Sequence, residues 1–430
     1  MLLRFEVSNH RSILEPVELS MIAVDEDRVS IRSFGSLSES VLTVAGIYGP
    51  NASGKSNVIE ALAWLSIAIR SSLRTWDKFI PREPFKFGRG PSTESTYEVE
   101  MVVNEVRYAY RIELNHSEVL FEGLYSYPER RRRILFEREG TKVSFRRGLG
   151  VLSGVRELLT PTTLVLSAAM RFDEPEVEPF ARALAGFGIF IPRRRTPING
   201  PLRAAMFGTN ATGRLFEEQG SLIQTSLFDE PGSVPVASRE SALALLRFAD
   251  LGIDDVQISK FEMDESQETH QARVYPRKQL RLIHRVLGEE LAFDFEEESA
   301  GTQIWFSLIG PTLSALSRGQ ILIFDEIDAS LHPRLSARLV ELFQDPETNP
   351  RGAQLIFTTH DTSLLNHLNR DEVWLTEKGE NGTTTLTALA EFGGDKVRRS
   401  LNLERAYLQG RFGAVPELDQ FTLRQALGLF

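Results

Sequence analysis

The chain contains no cysteine among its 430 residues. This absence excludes a disulfide framework, cysteine-ligated zinc, an iron–sulfur cluster and a thiol nucleophile. The seven histidines are scattered along the sequence and leave little potential for a metal site built from imidazoles. The chemistry of the protein must therefore depend mainly on hydroxyl, carboxylate and amine groups.

Long apolar runs are also missing, since no stretch approaches the roughly 18 uninterrupted apolar residues of a membrane-spanning helix. The N-terminal segment becomes charged at Arg4, which is unlike a signal peptide. These features predict a cytoplasmic protein that makes no contact with a membrane.

Basic residues are in the minority, with 49 Lys and Arg against 59 Asp and Glu and a net charge of −10. Such a balance argues against a protein that coats nucleic acid. Two short basic runs, 130–133 and 193–195, stand out locally. They could contact a phosphate backbone or an acidic protein, or could equally be solvated turns, so contact with DNA stays open.

The length accommodates about three domains at roughly 150 residues each, or one large domain with an insertion. Apolar and alternating runs predict strands over 2–7, 17–22 and 41–48, followed by a helix over 55–71. Between residues 96 and 145, alternation predicts an antiparallel β lobe with strands at 97–103, 106–114, 119–127 and 134–137.

The second half of the chain has two different patterns. Residues from 151 to 287 have mostly helical periodicity, as at 239–249, with a Gly-, Ser- and Pro-rich interruption at 220–238. From residue 291 strands and helices alternate. A strand comes first, followed by a helix over 302–316, a strand over 321–324, a helix over 333–343 and a strand over 355–358. Alternation of this kind predicts a parallel sheet covered by helices.

The strongest motif lies between the predicted strand 41–48 and the helix that follows. It matches G-x-x-x-x-G-K-[ST] and comprises Gly49, Pro50, Asn51, Ala52, Ser53, Gly54, Lys55 and Ser56, with Asn57 next in the chain. Glycines let backbone N–H groups surround a phosphate, and the N-terminus of the helix adds partial positive charge. The motif predicts a P-loop in which Lys55 contacts phosphate and Ser56 binds Mg²⁺.

Two carboxylates follow the apolar strand 321–324, at Asp325 and Glu326. Alone, this pattern is usually a solvated strand end. After a P-loop it predicts that Asp325 binds Mg²⁺ and that Glu326 polarises the attacking water.

Two further candidates flank these carboxylates in the sequence. His360 follows the strand 355–358, where it could contact a terminal phosphate or serve a structural purpose. Ser299 and Gly301 open a predicted helix and could present a hydroxyl and backbone N–H groups to an anion. An ordinary N-cap explains the serine equally well.

Together these motifs resemble the ABC-type ATPase heads of the SMC, RecF and OLD group. Residues 299–303, SAGTQ, stand where the signature motif of that group would be, residues 328–332 resemble its D-loop, and His360 resembles its switch histidine. The resemblance implies an α/β fold, namely an ABC-type head with a mixed sheet, an antiparallel β lobe and a helical insertion. It also implies Mg²⁺ with ATP as cofactor, held between the P-loop of one protomer and the signature of another, so that at least a dimer and possibly a hexamer forms.

Most of the chain, including the tail 407–416, resembles RloA-like ATPases of bacterial antiphage defence, which belong to the same broad group as the PARIS-type ATPases. That kinship implies a sensor or scaffold that controls an effector, either an RloB-like protein or a Toprim-like nuclease, and that responds to a phage protein.

The segment Asn9 to Ser12 resembles the N-F-R-S opening of such heads, with His10 in place of Phe. Arg11 could reach nucleotide or lie at a surface strand end. No glutamine precedes Gln219, so the Q-loop glutamine of the group is missing.

These observations divide the chain into four predicted segments. They are an ATPase lobe over 1–164, a mostly helical insertion for oligomerisation over 165–287, a second ATPase lobe over 288–392 and a tail over 393–430. A RecF- or SMC-like repair ATPase that binds DNA is the alternative function. A transporter subunit is disfavoured by the missing glutamine and by the long distance from P-loop to signature.

Overall fold

The computed structural model describes residues 1–191, 209–217, 237–249, 252–261, 277–329, 331–392, 402–415 and 424–428. The chain folds into two compact units. The first unit comprises residues 1–186 and 356–430, and the second comprises residues 187–355. The basic run 193–195 and most of the interruption 220–238 lie outside the described residues.

The elements are numbered in chain order. The described strands are β1 Leu2–Ser8, β2 Val17–Ser20, β3 Ile31–Ser33, β4 Ser40–Leu42, β5 Val44–Tyr48, β6 Ser95–Val103, β7 Val106–Leu114, β8 Val119–Ser126, β9 Arg133–Glu139, β10 Lys142–Phe145, β11 Gly188–Phe190, β12 Ile253–Phe261, β13 Arg277–Val286, β14 Glu289–Asp294, β15 Ile321–Phe324, β16 Gln354–Thr358, β17 Val373–Lys378 and β18 Thr384–Ala388. The described helices are α1 Lys55–Thr75, α2 Val155–Leu158, α3 Val165–Ala169, α4 Glu178–Ala185, α5 Thr209–Phe216, α6 Arg239–Phe248, α7 Ala300–Arg318, α8 Pro333–Gln344 and α9 Leu403–Leu408.

A seven-stranded antiparallel sheet forms much of the first unit, with strand order β10-β9-β8-β7-β6-β1-β2. Residues of β6 alternate between buried and half-buried, as expected for a sheet with one face on the core. The indole of Trp64 in α1 stacks on Tyr97 of β6, with ring centroids 4.5 Å apart. The predicted antiparallel β lobe is confirmed.

A second group of strands in the first unit carries the P-loop. Here β16, β5, β17 and β18 are neighbours in that order, with β5 parallel to β17 and β17 antiparallel to β18. Strand β5 is buried along its whole length. It ends at Tyr48, and α1 begins at Lys55, so the predicted order of strand, phosphate-binding loop and helix is confirmed. Strand β16 crosses from the second unit into the first at residue 356.

The second unit contains the parallel pair β11 and β15 and the antiparallel sheet β12-β13-β14. Helices α7 and α8 and strand β15 confirm the alternation predicted beyond residue 291. Trp305 and Phe306 are buried, as predicted for core residues of α7. Where it is described, the segment 165–287 contains α3 to α6 and also β11, β12 and β13, so its helical character is only partial. The four domain boundaries stay predictions.

Candidate nucleotide-binding site

The loop between β5 and α1 has the backbone conformation that its glycines permit. Gly49 and Gly54 have φ values of 149° and 112°, which side-chain-bearing residues rarely adopt. Ala52 is also in the left-handed region, with φ 64°. The loop then enters α1, where Asn57 N–H and Val58 N–H both donate to the Gly54 carbonyl. The N-terminus of this 21-residue helix therefore lies directly after the loop.

Two threonines of neighbouring strands support the loop from within the first unit. Thr376 of β17 lies with its hydroxyl 2.6 Å from the Ser53 hydroxyl and donates to the Tyr48 carbonyl at 3.1 Å. Thr384 of β18 donates to the Ser53 carbonyl at 2.7 Å. A Cβ at Gly49 would collide with Thr376, and one at Gly54 would collide with Thr384. Both glycines are therefore required by close contact as well as by φ.

Lys55 is buried although it carries an ammonium group. Its Nζ donates to the carbonyls of Gly49 and Pro50 at 2.8 and 3.1 Å and lies 3.4 Å from Nδ1 of His360. An ammonium group only donates, so Nδ1 must accept in this contact. The structure thus places the predicted phosphate-binding lysine beside the predicted switch histidine, whose side chain is exposed.

The N-terminal segment braces the same loop. The hydroxyl of Ser12 is 2.7 Å from that of Thr384 and accepts from the Asn57 amide. Arg11, with φ 51°, forms ion pairs with Glu60 of α1 and with Glu83. The sequence offered two interpretations of Arg11, contact with nucleotide and a surface strand end. Neither of them includes this link between two carboxylates of the first unit.

The C-terminal helix α9 packs beside these residues. Its Glu404 accepts from Thr362 at 3.2 Å and from Asn366 at 2.7 Å, in the 3-10 turn that follows His360. The ring of Tyr407 contacts that of Tyr48 edge-on, with centroids 6.0 Å apart. The tail 407–416, which resembles RloA-like proteins, is described as far as Val415. Through Tyr407 it contacts the strand that leads into the P-loop.

The two predicted carboxylates lie in the second unit, at the end of β15. Asp325 is buried and its N–H donates to the Phe190 carbonyl at 2.9 Å. Glu326 follows in a left-handed conformation, with φ 56°, and its carbonyl accepts from Ala329 N–H. Non-glycine residues with positive φ are uncommon and concentrate at functional sites.

Ser299 is the N-cap of α7 in the second unit. Its hydroxyl accepts from Thr302 N–H at 3.1 Å, and Gly301 lies in the first turn. Ser299 is therefore an N-cap, as one of the two interpretations predicted, and the cap uses one lone pair of its hydroxyl. The residue is exposed. His332 of the D-loop-like segment caps α8 in the same way, through Nδ1, and Ser330 lies outside the described residues.

The predicted site residues are thus divided between the units. The first unit brings together residues 49–57 and His360, whereas Asp325, Glu326, Ser299 and Gly301 belong to the second. Their assignment to one nucleotide site stays a prediction.

Residues 44–162 and 215–366 match the model of a family described as AAA domain, putative AbiEii toxin, Type IV TA system. These segments include the P-loop, Asp325, Glu326 and His360 and make up more than half of the chain. The chain belongs to this AAA family.

Two solved structures are similar to this AAA-family chain. A crystal structure of an SMC head bound to the C-terminal winged-helix domain of ScpA has 13% identity and a TM-score of 0.45, covering 90% of this chain and 97% of that one. An SMC head domain from Thermotoga maritima has 13% identity and a TM-score of 0.39, covering 90% and 98%. A comparison with curated proteins finds no match.

Each unit of the AAA-family chain contains one predicted ligand whose oxygen is of a type that Mg²⁺ accepts. Mg²⁺ with nucleotides takes one or two protein oxygens, and the substrate phosphates supply further ligands. Ser56 offers a hydroxyl in the first turn of α1, and Asp325 offers a buried carboxylate. In the part of the chain that the structure describes, no three His, Asp or Glu side chains gather as a metal cluster.

Sequence reasoning missed Thr376 and Thr384, because it predicted no strand beyond residue 358. Each is a single hydroxyl in a strand, and neither matches a phosphate-binding motif. Their importance is visible only once β17 and β18 lie beside β5.

Among the helices that the structure describes, each is too short or too polar to span a membrane.

Proposed function

We propose that this AAA-family chain binds and hydrolyses Mg·ATP, and that two copies close over each nucleotide. The observation that carries the proposal is the P-loop itself, whose conformation at positions 49 and 54 admits glycine alone and whose Lys55 reaches both the loop carbonyls and His360. A loop of this kind directs backbone N–H groups and a cation towards phosphate.

In this proposal each predicted residue has a distinct task. Lys55 and the N-terminus of α1 bind the phosphates, Ser56 and Asp325 hold Mg²⁺, and bound Mg²⁺ neutralises charge on the β- and γ-phosphates. Glu326 accepts a proton from the attacking water, and His360 contacts the γ-phosphate. Ser299 and Gly301 of the second copy complete the site.

A mixing experiment tests the closure of two copies. Lys55→Ala disables the P-loop, and Gly301→Asp places a carboxylate in the signature turn, so each variant alone should lack ATPase activity. In an equal mixture, half of the dimers contain one intact site, and about a quarter of the wild-type rate should return. The Lys55→Ala/Gly301→Asp chain mixed with wild type is the control, because its mixed dimers contain no intact site.

The closure proposal predicts a rate in the complementing mixture that exceeds the summed rates of its components. A mixture as inactive as its components would show that each chain uses its own residues 299–301, or none. If one chain hydrolysed ATP alone, the turnover rate per chain would not change with protein concentration.

We further propose that ATP-driven closure controls a partner effector in antiphage defence. The resemblance to RloA-like and PARIS-type ATPases supports this role, whereas the family description names a putative toxin of a toxin–antitoxin system and no partner effector. Co-purification with the product of the neighbouring gene, with ATP and with ADP, tests it. Retention of that product in only one nucleotide state would support control by nucleotide, whereas its absence in both states would contradict the role.

A further inference from the structure

One end of the seven-stranded sheet is rich in arginine, although the whole chain is acidic. The strands β6 to β10 run up and down in turn, so the β6–β7 and β8–β9 turns lie at the same end as the last residue of β10. Arg146 N–H donates to the Leu135 carbonyl, which places the residues after β10 beside the start of β9. We call this end the arginine edge; its members are Arg107, Arg130, Arg131, Arg132, Arg133, Arg147 and Arg156.

Most of these guanidinium groups have no carboxylate partner among the described residues. Only Arg107 and Arg132 form ion pairs, with Glu100 and Glu137. The other five are exposed. Glu105, Glu129 and Glu157 are nearby in sequence but form no ion pair with them in the part of the chain that the structure describes. The seven arginines outnumber these five glutamates by two, so the arginine edge carries a small surplus of positive charge and several guanidinium groups without a carboxylate partner among the described residues.

Aromatic rings orient three of the arginines. The guanidinium carbon of Arg132 lies 4.1 Å from the centre of the Tyr125 ring, and that of Arg107 lies 5.3 Å from the Tyr127 ring. Arg156 lies over Phe145 at 5.5 Å. Stacking on a ring limits the motion of a guanidinium group and leaves its N–H donors at the rim available to a phosphate.

The turn that presents these arginines is costly in conformational energy. Glu129 and Arg130 have φ values of 52° and 62°, so two successive residues with side chains occupy the left-handed region. Turns of this type normally use Asn or Gly, because the left-handed conformation is unfavourable for other L-residues. Arg130 therefore occupies a turn whose backbone conformation does not by itself favour arginine.

We propose that the arginine edge binds the phosphodiester backbone of a nucleic acid. Interfaces with nucleic acid are far more positively charged than those between proteins, and arginine binds phosphate in a bidentate manner. Interfaces between proteins usually have an apolar centre. Among the described residues of this edge and of the segment 146–156, the exposed large apolar side chains are Ile134 and Val151, which are too few to form one. The inference does not depend on ATP hydrolysis, since all its residues lie in the antiparallel sheet and the segment that follows it.

Fluorescence anisotropy with a labelled 20-base-pair DNA duplex, over a series of salt concentrations, tests the proposal on the full chain. The test variant is Arg130→Asn/Arg131→Gln/Arg133→Gln, in which Asn tolerates the left-handed conformation at 130. The control variant is Arg74→Gln/Lys78→Gln/Lys142→Gln, with the same charge change. Lys142 and the loop that contains Lys78 lie at the opposite end of the sheet, where Ile80 N–H donates to the His116 carbonyl.

We expect the test variant to bind roughly 10- to 100-fold more weakly near 0.1 M salt and to lose about one unit of the log–log salt slope per arginine removed. The control should keep the wild-type slope. Thermal unfolding and ATP binding, measured on all three proteins, show whether the fold is intact. Should the test variant unfold, Arg147→Gln alone provides the same comparison outside the hairpin.

Competition experiments distinguish the kinds of polyanion that could bind the arginine edge. Displacement of the duplex by single-stranded DNA or by a folded RNA identifies which nucleic acid is preferred. Equal displacement by polyglutamate, charge for charge, would contradict the proposal, because binding would then report any polyanion. Equal slopes for the test and control variants, or no binding by the wild type at 50 mM salt, would also overturn it.

Discussion

The P-loop and the Ser299 turn both lie at the N-terminus of a long helix, but their surroundings differ. Around the P-loop, Ser53 and Lys55 are buried, and Ser53 forms hydrogen bonds with threonines of two strands of the same unit. At the Ser299 turn, the side-chain hydrogen bonds of residues 299–303 go, within the described part of the chain, to residues 296–303, and Ser299 is exposed. The P-loop is thus supported by strands outside its own helix, whereas the Ser299 turn is held by local hydrogen bonds.

The largest expected effect is on turnover. Glu326→Gln should keep ATP binding and slow hydrolysis by about 10²- to 10³-fold, because the amide cannot accept the proton of water. Single-turnover hydrolysis and ATP titration measure the two quantities separately. Glu347→Gln, at an exposed position after α8, is the control. Unchanged turnover in Glu326→Gln would remove this residue from the mechanism.

The support of the P-loop can be broken with a single methyl group. Gly54→Ala has an unfavourable φ and collides with Thr384, so we expect ATP affinity to fall at least about tenfold and stability to fall by a few kcal/mol. Gly88→Ala is a matched control, because Gly88 also has positive φ, 56°, but nothing lies within 4 Å of the added Cβ. It should cost only about 1 kcal/mol, from the backbone alone. Equal losses for both variants would mean that the contact with Thr384 is unimportant.

The Ser299 turn can be examined without loss of its cap. Ser299→Asp keeps an oxygen that accepts from Thr302 N–H but brings a negative charge to the place where a phosphate contact is proposed. ATPase activity should fall about 10²-fold with little change in stability, whereas Ser299→Ala should destabilise the protein by about 1 kcal/mol. Normal activity of the Asp variant would leave Ser299 as an N-cap alone.

A smaller effect concerns pH, at the residue that precedes β17. Burial raises the pKa of Glu372 to about 7, against the favourable charge of Arg28. Because the folded-state pKa exceeds the unfolded value near 4.5, the folded state binds the proton more tightly. The free energy of unfolding should therefore decrease as pH rises from about 4.5 to 7, by about 3 kcal/mol.

Glu372→Gln should abolish this decrease, because the amide does not titrate and can still accept from Asn369 N–H. Denaturant unfolding at several pH values measures it. Glu347→Gln, at an exposed carboxylate, should retain the wild-type pH dependence. An unaltered pH profile in Glu372→Gln would assign the effect to another group.

The comparison also shows which features the sequence could reveal. The P-loop, β15 and the alternating strands 95–139 were predictable, because periodicity and the glycine–lysine pattern are local properties. The contacts of Thr376 and Thr384 were not, because they join residues more than 300 positions apart. Strand β14 was predicted only by its start near residue 291, because its side chains are exposed at nearly every position and give no alternating pattern that would fix its bounds. Sequence spacing cannot decide whether Ser299 serves only as an N-cap or also contacts a phosphate, as proposed.

The contact of α9 with Tyr48 and with the turn after His360 has a mechanical consequence. Glu404 and Tyr407 lie one helical turn apart, so one rigid piece touches both the entrance of the P-loop and the segment behind the histidine. Displacement of this piece would therefore loosen both places together. Residues 403–408 are thus a mechanical link between the segment behind His360 and the strand that enters the phosphate-binding loop.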